Sequence, residues 1–478
     1  MANLSRRHFM AGTGALGFAA GFGALSSIGA SRAWAADTTG YKALVCVFLK
    51  GGMDHADTIL PYDETSYNEL ATVRDGLFGA YNSTSSGSSR NRNNLLKLNP
   101  NNSAALGGRE FALPTALSPL HTMFEDGDLA VLGNVGPLIE PTTRAQMDND
   151  TAILPKRLFS HNDQQSTWMS FGVEGQRIGW GGRFIDASLA SSPGVDARFA
   201  SISATSNDVF LSGGEAQPFR ISSRGVPQPS LLGTRNYIGG SSEDDEARER
   251  MRAFLLRSEV SDGNIFSQDL RAANAVSMDA SEQLRTAQEN ATPFTTQFGE
   301  DSFSSQLRAV AETIQIQQFL NVPRQIFYVS GGGFDTHSSQ VNDLPGRHAG
   351  LAAGMASFKS AMQELNRWND VTVFTMSDFG RTLNDNGDGT DHGWGGHHFI
   401  AGGAVRGKRV YGTLPVSDPD AEAYTPSRGR LIPDVSVEQY AATLGRWFGL
   451  SNGELNAALP NLGNFDSNDL GFFNGAGT

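Results

Sequence analysis

Apolar positions fall into two patterns along the chain. Residues 43–49 form an almost unbroken apolar run, as a strand covered on both faces must. Residues 129–135, 325–329 and 371–376 repeat that pattern. Between the last two, Leu351, Met355, Phe358, Met362 and Leu365 recur at spacings of four, three, four and three, the stripe of an amphipathic helix. A strand–helix–strand unit is therefore predicted here. Ser436 and Gln439 have capping-box spacing and open a further helix through Tyr440, Leu444 and Phe448. Residues 243–257 and 306–319 also read as helical, while the rest of 205–320 shows no clear period and is taken as a partly helical insertion. The alternation predicts the α/β class, with three α/β/α layers around a mainly parallel sheet. No Pro-rich or Gly/Ser linker divides the chain, so residues 36–478 are expected to form a single domain. The stretch 81–103, rich in Asn, Ser, Gly and Arg, reads as a polar surface insertion or mobile loop.

The first 35 residues stand outside this pattern. Ser5-Arg6-Arg7-His8-Phe9-Met10 sets an arginine pair and an aromatic ahead of a mildly apolar, Gly/Ala-rich stretch. Ala33-Trp34-Ala35 follows with small-x-small spacing, so a twin-arginine (Tat) signal cut after Ala35 is expected. The Gly12-Thr13-Gly14-Ala15-Leu16-Gly17 run matches a dinucleotide-binding turn only in spelling, because a disposable signal offers neither the strand nor the helix that such a turn needs. No later segment approaches 18 consecutive apolar residues, so no stable membrane span is expected after cleavage. Periplasmic or secreted residence follows, with the Tat translocase as the partner during export.

Charge narrows the partners. The chain carries 37 Lys and Arg against 50 Asp and Glu, a net −13, and loses three arginines and no acid with the signal. Nucleic acid is excluded as an expected partner, since phosphate backbones are held by clustered Lys and Arg. Carboxylates are left in excess for cations. The lone cysteine, Cys46, lies in an apolar run and reads as a buried, inert thiol.

Polar chemistry gathers where the predicted strands end, which is where open α/β sheets place their ligands. The first strand runs into Lys50-Gly51-Gly52-Met53-Asp54-His55, and the strand at 325–329 into Gly331-Gly332-Gly333-Phe334-Asp335-Thr336-His337. The strand at 371–376 leads to Ser377-Asp378-Phe379-Gly380-Arg381, and a short loop later come Asp391, His392, His397 and His398. Acids and imidazoles repeated at three strand ends point to one or two divalent metal ions of the Zn, Mn, Fe or Ca kind. The absence of paired thiols excludes a Cys-based zinc site.

Six segments carry a resemblance to a known family: GGMDHADTILPY (51–62), SHNDQQ (160–165), GWGGR (179–183), GGFDTH (332–337), SDFGRTL (377–383) and GTDHGWGGHHF (389–399). They resemble the Tat-exported bacterial family called domain of unknown function 1501, grouped by fold with the alkaline phosphatases and sulfatases. The resemblance implies an alkaline-phosphatase-like core and metal-assisted cleavage of phosphate or sulfate esters, with an anionic small molecule or glycan ester as substrate. It implies metal ligation by Asp54, by Asp335 with His337, by Asp378, and by a late histidine, His392 or else His397 or His398, with Asp391 beside it. Ser160 would be the nucleophile and His161 its orienting group or acid. Arg381, just past a strand-end acid, would clamp two oxygens of the transferred group. The chain departs from those relatives in carrying Phe379 where a ligand would stand, in spacing Asp335 and His337 by two, and in lacking the C/S-x-P-x-R nucleophile motif. A non-catalytic, metal-containing binding or assembly protein on the same fold is the alternative expectation.

Overall fold

A computed structural model describes residues 35–84, 88–205, 209–222, 249–250, 252–253 and 265–474. The expected signal, apart from its last residue, and most of the helix expected at 243–257 lie outside them.

Nine strands of one sheet form the middle layer. In chain order they are β1 (Lys42–Leu49), β2 (Leu129–Gly136), β3 (Ser201–Ser203), β4 (Phe219–Arg220), β5 (Arg324–Gly331), β6 (Val371–Ser377), β7 (Gly396–Ala401), β8 (Val410–Gly412) and β9 (Val435–Ser436). Across the sheet they run β8-β2-β7-β6-β1-β5-β3-β4, with β9 pairing β2. Among the described strands of this sheet, only β7 is antiparallel to its neighbours. The apolar run of β1 is explained by its place: it is central and covered on both faces, and Ala43 to Leu49 are fully buried. Cys46 lies there, as expected.

Helices Ser118–Glu125, Ser302–Gln315 and Gln340–Glu364 pack together on the sheet, and His161–Ser170, Trp180–Ala190, Val437–Phe448 and Asn452–Ala458 form a second group against it. These groups are the outer layers of an α/β/α sandwich. Helix Ser302–Gln315 belongs to a layer rather than to a peripheral insertion, because its buried face, including Leu307, Val310 and Ile314, meets β5 and helix Gln340–Glu364. The polar stretch 81–103 is also partly internal, with Arg90 buried against Asp57 and Leu95 and Leu98 in the core. The capping box of Ser436 with Gln439 forms as expected. Among the described residues no helix is long and apolar enough to cross a membrane.

Register places the chemistry. β1 lies between β5 and β6, parallel to both, with Leu49 opposite Gly331 and Ser377. Their carboxyl ends therefore coincide, and the loops that follow, beginning at residues 50, 332 and 378, leave the sheet side by side. Gly51 (φ +120°) lets two of them touch, since a Cβ there would lie 2.2 Å from the Asp335 backbone nitrogen. Beyond β6 the chain turns into an antiparallel hairpin, Arg381–Asp385 with Thr390–His392, pairing Arg381 with His392.

Candidate metal centre

Three imidazoles converge on one carboxylate above these strand ends. Asp335 comes from the loop after β5. His161 Nε2 lies 3.4 Å from its Oδ2, and His337 Nε2 and His392 Nε2 lie 3.2 and 3.3 Å from its Oδ1. His337 and His392 face one another through their Nε2 atoms at 2.8 Å. One ligand atom each from His161, Asp335 and His392 fits within 4.8 Å.

The outer ring nitrogens decide what faces inward. His161 Nδ1 sits 2.6 Å from Asp378 Oδ2, His337 Nδ1 3.2 Å from Asp391 Oδ1, and His392 Nδ1 2.8 Å from the Phe159 carbonyl. All three partners only accept, so each Nδ1 carries a hydrogen and donates it. In the neutral rings each Nε2 then presents a lone pair toward Asp335. Imidazoles fixed by acceptors behind them, with a carboxylate between, are an arrangement that could hold a divalent ion.

Electrostatics follow the same geometry. The hydrogen bond to Asp378 raises the His161 pKa above the usual imidazole range, while burial lowers that of His392. Burial works to raise the Asp335 pKa, but the Arg381 guanidinium outweighs it and holds the carboxyl below its ordinary value. Asp378 is fully buried, takes a second bond from Gln165 Nε2 at 2.9 Å, and leaves Oδ1 without a partner. Phe379 packs against the rings of His161 and His392 at 4.8 and 4.6 Å between centroids. It fills the space beside the cluster with apolar bulk where the resemblance would put a ligand.

The residues expected from sequence divide accordingly. Asp335, His337 and His392 are inside the cluster, joined by His161, which was expected to act on Ser160. Asp378 and Asp391 stand behind histidines. Asp54 is elsewhere: it is fully buried and held by Arg74 NH1 at 2.7 Å and NH2 at 2.9 Å, so a guanidinium already occupies the place of its cation. Gln340 donates to Asp54 at 2.7 Å and accepts from Thr336 and Thr390 at 2.9 Å, which ties Asp54 to the two loops bearing the cluster. His397 is buried in β7, accepting from the Asn134 backbone at 3.0 Å, and is not brought to the cluster.

Two catalytic expectations are also revised. Ser160 is the N-cap residue of helix His161–Ser170, makes no side-chain capping bond, and donates its hydroxyl to Asp163 at 2.9 Å rather than to a member of the cluster. Arg381 cannot clamp a substrate, because it is fully buried and donates to Gly51 O (3.1 Å), Asp335 Oδ1 (2.8 Å), Thr390 Oγ1 (3.2 Å) and Thr390 O. Its work is to hold Asp335. The guanidiniums at the rim are ones that sequence reasoning missed: Arg428, mostly exposed, pairs with Asp391 at 3.0 Å, and Arg430 donates to the His392 carbonyl at 2.9 Å and lies over Phe159. Their only sequence signal is an Arg-Gly-Arg run far from the other motifs. Arg74 carries no motif at all.

Fold and cluster together define an α/β sandwich protein with a His/Asp candidate metal centre at the carboxyl ends of its central strands. The chain belongs to the family described as Protein of unknown function (DUF1501), whose model matches residues 41–451. No curated protein matches the sequence. Among solved structures, the crystal structure of Ps i-CgsB aligns over 88% of this chain and 77% of its own, at 8% identity and a TM-score of 0.33. Its complex with k-i-k-neocarrahexaose aligns over the same shares at 0.31. The C-terminal periplasmic domain of EcEptC from Escherichia coli, in complex with Zn, aligns over 87% and 85%, at 10% identity and 0.30. Likenesses this distant carry no argument about chemistry.

Proposed function

We propose that this protein is an exported hydrolase of phosphate or sulfate esters that uses one divalent ion held by His161, Asp335, His337 and His392. The observation that carries the reading is the approach of three Nε2 atoms to Asp335 from rings whose Nδ1 atoms are held by Asp378, Asp391 and the Phe159 carbonyl. A nitrogen-rich set of this kind favours Zn, Mn or Fe over Ca. A divalent ion there supplies Lewis-acid polarisation of an ester oxygen and acidifies a water molecule. The chain's own residues do the rest. Arg381 fixes Asp335, Phe379 keeps one side of the cluster dry, and Arg428 and Arg430 meet the anionic group at the rim. Water is the attacking group, so no chain hydroxyl is required: its oxygen joins phosphorus or sulfur, and the ester oxygen leaves with a proton. Export in folded form through the Tat translocase, with residence in the periplasm or outside the cell, belongs to the same reading.

The test is metal analysis of the purified protein together with chromogenic phosphate monoester, phosphate diester and sulfate substrates. About one ion per chain and turnover of one class is expected, with Asp335→Asn and His161→Ala losing metal and about 10³-fold or more in rate, and Ser160→Ala keeping most of its activity. Phe379, packed against His161 and His392 where the resemblance puts a ligand, favours a second reading, a metal-containing binding or assembly protein. A metal-loaded protein inert on all three classes decides for it, and a metal-free protein sinks both.

A further inference from the structure

The backbone nitrogen of Ala36 meets two acceptors, Ser191 Oγ at 3.0 Å and Glu454 Oε1 at 3.0 Å. Ala36 is buried, while Ala35 just before it is exposed. A peptide nitrogen has one hydrogen, so these acceptors must share it. An α-ammonium has three, and would satisfy both at full strength. We propose that the chain is hydrolysed between Ala35 and Ala36 and that the new ammonium of Ala36 is bound as a cation by Ser191 and Glu454. Water adds across the amide, leaving a carboxylate on Ala35 and the ammonium on Ala36, in the active site of an exported peptidase that reads the small residues Ala33 and Ala35.

Three features of the seat suit a cation. Glu454 divides its oxygens: Oε2 closes the capping box, accepting from Ser451 N and Oγ at 2.8 Å, and Oε1 turns to Ala36. Ser191 is the C-cap of helix Trp180–Ala190, so the ammonium lies at the negative end of a helix dipole. The following residues are clamped from elsewhere in the fold. Asp37 N donates to Gly449 O at 2.7 Å, Arg324 donates to the carbonyls of Asp37, Thr39 and Gly40, and Ser192 bonds Thr38. Ala36, the first residue after the small-x-small site, is thus held together with the four residues that follow it. An α-amino group has a pKa of about 8, so most of it is charged at neutral pH before any partner is added.

This inference takes up the export part of the proposed function and is independent of the metal. Two measurements keep the parts distinct. The N-terminal mass of the exported protein should begin at Ala36; a start elsewhere overturns the cleavage position. Separately, the chain beginning at Ala36, released from a cleavable fusion, is compared with the same chain acetylated at its α-amino group and with one retaining Ala35. The acetylated chain, and the one whose ammonium is moved out to Ala35, should each melt about 2 °C lower, and Glu454→Gln should abolish the difference. Glutamine still closes a capping box, so that variant keeps the helix start and loses only the charge. Equal melting of the three chains, or a difference that survives in Glu454→Gln, overturns the ammonium seat.

Discussion

At the scale of single residues, the candidate centre depends on which nitrogen of each imidazole carries the hydrogen. Asp378 settles that for His161, and its removal frees the ring to rotate and to reverse its tautomer. Asp378→Ala should therefore weaken metal binding by about 10- to 100-fold without touching an inward-facing atom, measured by competition with a chromogenic chelator. Asp54 gives the opposite signature. Asp54→Asn leaves the Arg74 guanidinium buried without its counter-charge, at a cost of about 3–5 kcal/mol, yet the ion should stay bound. Equal metal content with a clearly lower denaturation midpoint is the expected result, and loss of metal would return Asp54 to the ligand set. Glu438 provides a pH test away from the centre. Burial raises its pKa from 4.5 to about 7, against two bonds from Asn461 that lower it. Its folded-state pKa is raised, so its contribution to stability is full below about 4.5 and is lost as pH rises to about 7. Glu438→Gln should flatten the stability profile across that window, where the wild type should lose at most about 3 kcal/mol.

At the scale of elements, strand ends deliver the ligands and glycines let the loops close on one another. Gly380 opens the hairpin that carries Arg381 and His392, and a Cβ there would lie 1.9 Å from the Gly395 carbonyl oxygen. Gly380→Ala should shift the base of that hairpin and lower metal affinity while the nine-stranded sheet still forms, so the far-ultraviolet spectrum should hold while the metal content falls. The strands at 43–49, 129–135, 325–329 and 371–376 were legible because burial on both faces leaves a strand no polar position. The short strands Ser201–Ser203 and Val410–Gly412 were not, because three residues are too few to show a period. Helix Gln340–Glu364 extends eleven residues ahead of the stripe that announced it at Leu351, over a segment in which buried Gln340 donates to Asp54 and Asp57 while Asn342, Asp343 and Arg347 are exposed. A polar interior defeats a pattern that equates burial with apolar side chains.

At the scale of the molecule, the cluster joins helix His161–Ser170, the loop after β5 and the hairpin after β6, so an ion held there would tie one outer layer to the carboxyl ends of the central strands. Chelation should lower the melting temperature by mass action; a thousandfold excess of ion over its dissociation constant is worth about 4 kcal/mol. A melting curve unchanged by chelator, in protein shown to contain metal, would remove the ion from the folded state's stability. Arg428→Ala acts at the rim and should raise KM with little change in stability, since its side chain is 62% exposed.

The α/β class, the strand ends and the residue types of the centre were determined by the sequence itself, because burial imposes local periodicity and because Asp and His next to glycine turns stand out against apolar strands. Asp335, His337 and His392 could be named on that basis. What each one does was decided only by the tertiary structure. Asp54 and Asp335 follow equivalent strands with equivalent glycines, but Arg74, from a helix twenty residues on, reaches the first and not the second. A carboxylate that meets a guanidinium is a salt bridge, and one that three imidazoles approach is a candidate metal ligand. That difference lies in which long-range neighbour arrives, and no local spacing records it.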